Sequence, residues 1–372
     1  SNEAPSNFVV GDITGASCTV GNFGTTSTSI YTSTCTAADG ATANVRVAAA
    51  TYTDTAGNDN TVSNTFDWTY DGTSPTMTIT SATVTSGSST NTGAVVLVYT
   101  SNEVTTNFEL SDITVTDCVQ SAFTGSSMVY GSTCTEETNA VVPTVLVAVN
   151  KFTDATGNNN QVSNTYTWTY DTADPTMVIT STAGTADAGT SNVAAFALTF
   201  TSNEATTDFV ATDITATSCT LSTLTGTSTT VYTATCAPAD GATASVAVAA
   251  GTFSDASSNT NSVSNTYSWT YDGTGPTMTI TSSSVTSGAT TGTEAVALTF
   301  TSNEATTDFI ASDITATSCT LSSLSGSSTV YTATCTPADG ASASVAVAAS
   351  TFNDAAGNDN TVSNTFDWTY DG

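Results

Sequence analysis

Histidine is missing from this sequence, and bases nearly so: Arg46 and Lys151 stand against 32 acids, for a formal net charge of −30. The first absence removes the usual general base and the commonest transition-metal ligand. The second sets the chain against polyanions, so nucleic acid is excluded as a partner and anionic membrane surfaces are disfavoured. No apolar run reaches the roughly 18 residues of a membrane-spanning helix, and no direct membrane insertion is expected. There is no helical period, no phosphate-cradling loop, no convincing cysteine nucleophile and no Asn-x-Ser/Thr sequon. The chain is therefore not expected to be an enzyme or to carry N-glycans. No signal segment is visible either; the opening Ser-Asn-Glu-Ala-Pro reads as the interior of a longer array.

What the sequence has instead is repetition. Ser-Asn-Glu recurs at Ser1, Ser101, Ser202 and Ser302, and Trp-Thr-Tyr-Asp at Trp68, Trp168, Trp269 and Trp368. A period of about 100 residues is too long for a solenoid unit and suits one small domain. Short linkers divide the chain into 1–72, 73–171, 172–272 and 273–372. Pro75, Pro175 and Pro276 fix φ where each new strand begins, which predicts a fairly stiff string of domains.

Apolar–polar alternation predicts the strands. Met77 and Ile79 share a face, as do Val95, Leu97 and Tyr99, with Phe196, Leu198, Phe200 and Val296, Leu298, Phe300 as their counterparts. Further strands are expected at Asp-Ile-Thr, at Met-Val-Tyr-Gly-Ser-Thr-Cys, over Val145, Val147 and Val149, and over Tyr166, Trp168 and Tyr170. A short seventh strand is expected at Val-Gln-Ser-Ala-Phe-Thr. Seven short strands around a buried Trp predict an all-β chain of tandem immunoglobulin-like β-sandwiches. The segment 1–72 is an incomplete repeat without the first two strands. It should expose half a core and two sheet edges unless adjoining chain or a neighbouring molecule supplies the strands.

Eight cysteines fall two per repeat: Cys18 and Cys35, Cys118 and Cys134, Cys219 and Cys236, Cys319 and Cys335. The regular short spacing predicts one disulfide within each repeat. Without Cys-x-x-Cys or histidine, zinc is disfavoured. Closing loops of this size stabilises by roughly 3 kcal/mol in the chain-entropy picture. The loop is far shorter than that of the antibody-type bridge. Disulfides imply an oxidising place, extracellular or at the cell surface.

The stretch from Phe200 to Asn261 carries Phe-Thr-Ser-Asn-Glu, Phe-x-x-x-Asp-Ile, Tyr-Thr-Ala-Thr, Pro-Ala-Asp-Gly, Val-Ala-Val-Ala-Ala-Gly-x-Phe and an Asp/Asn-rich turn. This pattern, present through every repeat, resembles the bacterial Ig-like repeats of large extracellular adhesins and biofilm-associated surface proteins. The resemblance implies tandem extracellular β-sandwiches, some of which bind calcium. The regular cysteine pairs and the Trp-Thr-Tyr-Asp ending depart from the family pattern.

In such a sandwich the Ser-Asn-Glu loop, the Asp/Asn-rich loop and the incoming linker share one pole. Asp71, Glu103 and Asp154 should therefore converge, with Asp112 and Asn158 near them. The next set is Asp171, Glu204, Asp213 and Asp255, and the last is Asp272, Glu304, Asp313 and Asp354. Two readings stand open. Oxygen donors with no base among them suit calcium between domains; the same residue types also make Asx turns with no ion. Ser258, where Gly157 and Gly357 stand in other copies, loosens the motif. Asp112, Asp213 and Asp313 could equally pin a strand start. Two functions fit: a structural segment of an extracellular filament, stalk or surface layer associating with further repeats or copies of itself, or a spacer or binding region of an adhesin with a sugar or protein ligand.

Overall fold

The computed structural model describes residues 1–182 and 187–372. The chain divides into two compact units, Ser1–Thr172 and Ala173–Gly372. The second holds two complete sandwiches and the first holds one, together with the incomplete repeat.

In the last repeat, one sheet runs in the order Met278–Thr281, Val296–Ser302, Val330–Pro337, Cys319–Leu321, and Ser325–Ser327 also pairs with Val330–Pro337. The facing sheet runs Ala289–Thr291, Phe366–Tyr370, Ser342–Val347, Ile314–Thr317. All pairings are antiparallel but one: Ala289–Thr291 lies parallel to Phe366–Tyr370, with Ala289 opposite Trp368. The opening segment of the repeat is thus two strands, one in each sheet, where the alternation suggests only the first. The same parallel pair joins Gly189–Ser191 to Tyr267–Tyr271, and Ser89–Thr90 to Thr169–Tyr170.

Alternation sets the core. Along Val296–Ser302 every second residue is buried, which brings Val296, Leu298 and Phe300 onto Phe309, Val345 and Trp368. Equivalent cores form around Trp168 and Trp269. Two details differ from the alternation. Val149 is exposed because its strand ends at Val147. Tyr170 is half-buried, at the rim, while Tyr166 and Trp168 enter the core.

The chain changes sheets at one residue per repeat, Ser17, Asp117, Ser218 or Ser318, each left-handed with φ 58°. A cysteine follows immediately. The bridges are Cys18–Cys35, Cys118–Cys134, Cys219–Cys236 and Cys319–Cys335. Cys236 lies in the central strand Val231–Pro238, opposite Leu221 of the neighbouring strand Cys219–Leu221. Each staple therefore lies within one sheet, beside the corner where the chain has just crossed.

In the first repeat only Ile13–Ala16, Thr42–Val47 and Phe66–Thr69 form one sheet, and Cys18–Ser27 with Ile30–Ala37 the other. Ala43 is its one buried apolar residue, and Phe66 is 65% exposed, against 4% for its counterparts Tyr166 and Phe366.

Candidate metal centre

Each Asp/Asn-rich loop is built around one aspartate. The Asp154 Oδ1 accepts the backbone N–H groups of Thr156 (2.8 Å), Gly157 (2.7 Å) and Asn158 (2.9 Å) and the Thr156 hydroxyl. Its Oδ2 accepts from the Asn158 amide at 2.9 Å. Burial pushes this carboxyl up, but the donors from Asn158 and Thr156 outweigh it and bring it from 3.8 to about 2. The turn needs a left-handed residue, Gly157 at φ 95° and Gly357 at 90°; Ser258 adopts the same region at 71°, so the third copy keeps the loop despite its substitution. Asp255 accepts from Ser257 and Asn259 as Asp154 does from its neighbours.

This turn reaches the end of the preceding repeat. The Asn158 amide donates to the Asp71 carbonyl at 2.9 Å, and the Thr156 hydroxyl to the Asp71 carboxylate at 3.3 Å. In the second unit, Asn358 donates to the Asp272 carbonyl at 2.8 Å and to Asp354. Asp71, Glu103 and Asp154 then present carboxylate oxygens within 4.8 Å of one another, and so do Asp272, Glu304 and Asp354. Asp154 and Asp354 are buried, and their two companions in each set are half-buried. Burial first, and then the charges of Asp154 and Asp71, raise Glu103; burial, then Asp272 and Asp354, raise Glu304. The Glu103 Oε1 is buried with no hydrogen-bond donor. Of the remaining set, Asp171 closes the first unit while Glu204 and Asp255 lie in the second.

The turn and ion readings are therefore compatible. Both oxygens of Asp154 take part in the loop, while its charge and that of Asp71 still bear on Glu103. The donors are all hard oxygens, the set that suits a hard cation and not a thiophilic metal. Asp112, Asp213 and Asp313 are elsewhere. Each stands in a one-turn 3-10 helix, Leu110–Asp112, Ala211–Asp213 or Ala311–Asp313, and accepts the N–H of Glu109, Val210 or Ile310 at 2.8–2.9 Å. They pin strand starts, and none of the three belongs to the converging carboxylate sets.

Another group went unnoticed in the sequence. Asp39 accepts the Gly72 N–H at 2.6 Å and the Thr73 hydroxyl, and Asp240 does the same for Gly273 and Thr274. Asn139 takes the Thr172 N–H. These residues tie each outgoing linker to its own sandwich. Asp39 and Asp240 also add negative charge to the sets at Glu103 and Glu304. The recurring Ala-Asp-Gly was the available signal, but it reads as an ordinary turn. Gly72 and Gly273 serve the same exit: a Cβ there would stand 2.8 Å and 2.3 Å from the hydroxyls of Tyr70 and Tyr271.

A family model described as "Bacterial Ig-like domain" matches residues 1–70, 171–271 and 272–370. The chain belongs to the bacterial Ig-like domain family. The matched segments omit the second repeat of this Ig-like chain, where Glu136 replaces the proline found at Pro238 and Pro337, and Asn139 replaces Asp39 and Asp240. There the buried Glu136 accepts the Trp168 indole N–H, whereas the Trp269 and Trp368 indoles are unpartnered. Among solved structures, Yersinia pseudotuberculosis InvD is similar at 15% identity, covering 79% of this chain and 97% of that one, with a TM-score of 0.38. Invasin, titled a bacterial integrin-binding protein, is similar at 13% identity, 72% and 56% coverage and a TM-score of 0.31. No curated protein matches the sequence.

Proposed function

We propose that this Ig-like chain is a structural segment of an extracellular stalk, filament or surface layer, whose domain junctions are locked by calcium and which associates with further repeats or copies of itself. The observation that carries the reading is the buried, donorless Glu103 oxygen facing Asp71 and Asp154. An uncompensated buried carboxylate among like charges is costly, and a divalent cation relieves desolvation and repulsion together. Oxygens within 4.8 Å of one another fit on a coordination shell of about 2.4 Å radius, the calcium range. Bound there, the ion would be held by Asp71, Glu103 and Asp154, and by Asp272, Glu304 and Asp354, tying the linker of one repeat to two loops of the next. Four disulfides and a family of repeated sandwiches support an extracellular, mechanical setting.

Thermal melting in calcium against chelator tests the ion. The expected result is a higher melting temperature in calcium, reflecting a stability gain of about 2.7 kcal/mol per site at a hundredfold excess over the dissociation constant. No shift in any transition would overturn it. Electron microscopy tests the assembly: ordered polymers are expected, whereas chains that stay extended and monomeric at high concentration would favour the adhesin-spacer reading.

A further inference from the structure

Asp272 is flanked on both sides by residues that one turn of the third sandwich holds. That turn, residues 239–242, joins Val231–Pro238 of one sheet to Thr243–Val248 of the other. Its Gly241 N–H donates to the Tyr271 carbonyl at 2.9 Å, and its Ala242 carbonyl accepts the Tyr271 N–H at 3.0 Å. On the far side of Asp272, the carboxylate of Asp240 accepts the Gly273 N–H and the Thr274 hydroxyl. The Asp272 N–H itself donates to the Ser191 carbonyl at 3.0 Å, again within the third sandwich.

The other face of Asp272 meets the fourth sandwich. Its carbonyl accepts the Asn358 amide, and its carboxylate stands with Glu304 and Asp354. The linker then docks, with the Pro276 carbonyl accepting the Thr361 N–H at 2.9 Å and the Thr277 N–H donating to Asn303 at 2.6 Å. One carboxylate fixed by the third sandwich thus completes a set whose other two members lie on loops of the fourth. The first unit repeats the arrangement. Gly40 and Ala41 pair with Tyr70, Asp39 takes the Gly72 N–H and the Thr73 hydroxyl, and Asp71 meets Glu103 and Asp154. Among the charges acting on Glu304, that of Asp240 ranks after Asp272 and Asp354. Its hold on the linker, and not its charge, distinguishes it.

We infer that Asp240 and Asp39 are positioning residues that couple neighbouring sandwiches. By holding the linker they present Asp272 and Asp71 to the cation, so an ion at the junction stabilises the preceding sandwich as well as the one that supplies its loops. The inference rests on the proposed calcium site, and its physical ground is linkage. When the third sandwich opens, the turn at 239–242 comes apart, Asp272 is released and the ion loses one of its three carboxylates. Calcium bound there opposes that opening.

Hydrogen exchange of the full chain, read by mass spectrometry in calcium and in chelator, tests the coupling. In chelator the linker amide of Gly273 should exchange slowly in the parent and faster in Asp240→Ala. Calcium should slow exchange of Val231–Pro238 in the third sandwich, and Glu304→Gln, a change in the fourth, should remove about tenfold of that protection. Asp240→Ala should remove the same part. Asp240→Asn, which keeps an oxygen for the Gly273 N–H, should retain it. The ratio of rates in calcium and chelator cancels a plain loss of stability in any variant. Fast Gly273 exchange in the parent, no effect of Glu304→Gln on the third sandwich, full transmission in Asp240→Ala, or equal losses in Asp240→Ala and Asp240→Asn would each overturn the coupling and leave the calcium site standing. No effect of calcium on either sandwich would overturn the site and the coupling together.

Discussion

Single residues decide how each loop meets its neighbour. Ser258 holds a left-handed φ of 71° where the three other copies use glycine, Gly57, Gly157 and Gly357. An L-residue in that region costs on the order of 1 kcal/mol. Ser258→Gly is therefore expected to raise the stability of the third sandwich by about 1 kcal/mol, read by urea unfolding with Trp269 as the probe. Glu103 is the opposite kind of residue, kept at a cost. In chelator, Glu103→Gln should stabilise the second sandwich by removing one of several facing charges, and in calcium it should destabilise it relative to the parent. A change of the same sign in both conditions would show that Glu103 has only a turn role.

At the level of elements, much of the fold was legible. Met77, Ile79, Val95, Leu97 and Tyr99 announce their faces because a period of two admits one buried side. The cysteine pairs announce their bridges by spacing alone. The split opening strand did not show itself: Ser89–Thr90 is two residues long, too short for any alternation. The caps were legible only as one of two equal readings, since an aspartate that closes its own turn, as Asp112 does, looks the same in sequence as one that faces a cation. Asp71, Glu103 and Asp154 were legible only because three separate loops recur together. The disulfide belongs to this scale as well. Reducing Cys219–Cys236, or replacing both residues by alanine, should cost the third sandwich roughly 3 kcal/mol, measured as a lowered urea midpoint.

For the molecule as a whole, the acid excess makes stability a function of pH with two opposed parts. Glu103, Glu304 and the buried Glu136 are raised, so the native state holds their protons to higher pH than the unfolded chain does. Their contribution is greatest below the ordinary carboxylate range and is lost as pH rises through it. Asp154 is lowered to about 2, so its contribution is present above that range and lost as pH falls toward 2. In chelator, the melting temperature of the second sandwich should therefore rise as pH is lowered from neutral, then fall in strong acid. Calcium should flatten the first change, because the cation replaces the proton at Glu103. A flat profile in chelator would remove the electrostatic basis of the junction site.

The parallel pairing of Ala289–Thr291 with Phe366–Tyr370 has a mechanical consequence. A pull on the two ends of the last sandwich drags these strands past one another, so their hydrogen bonds are loaded in shear and must fail together, not unzip one by one. Beyond that barrier the Cys319–Cys335 bridge withholds the enclosed residues from extension, so each domain yields less than its full contour length. Single-molecule stretching should show high rupture forces with short, even steps that lengthen when the disulfides are reduced; a tether built this way stops short of full extension and keeps part of every sandwich as a seed for refolding.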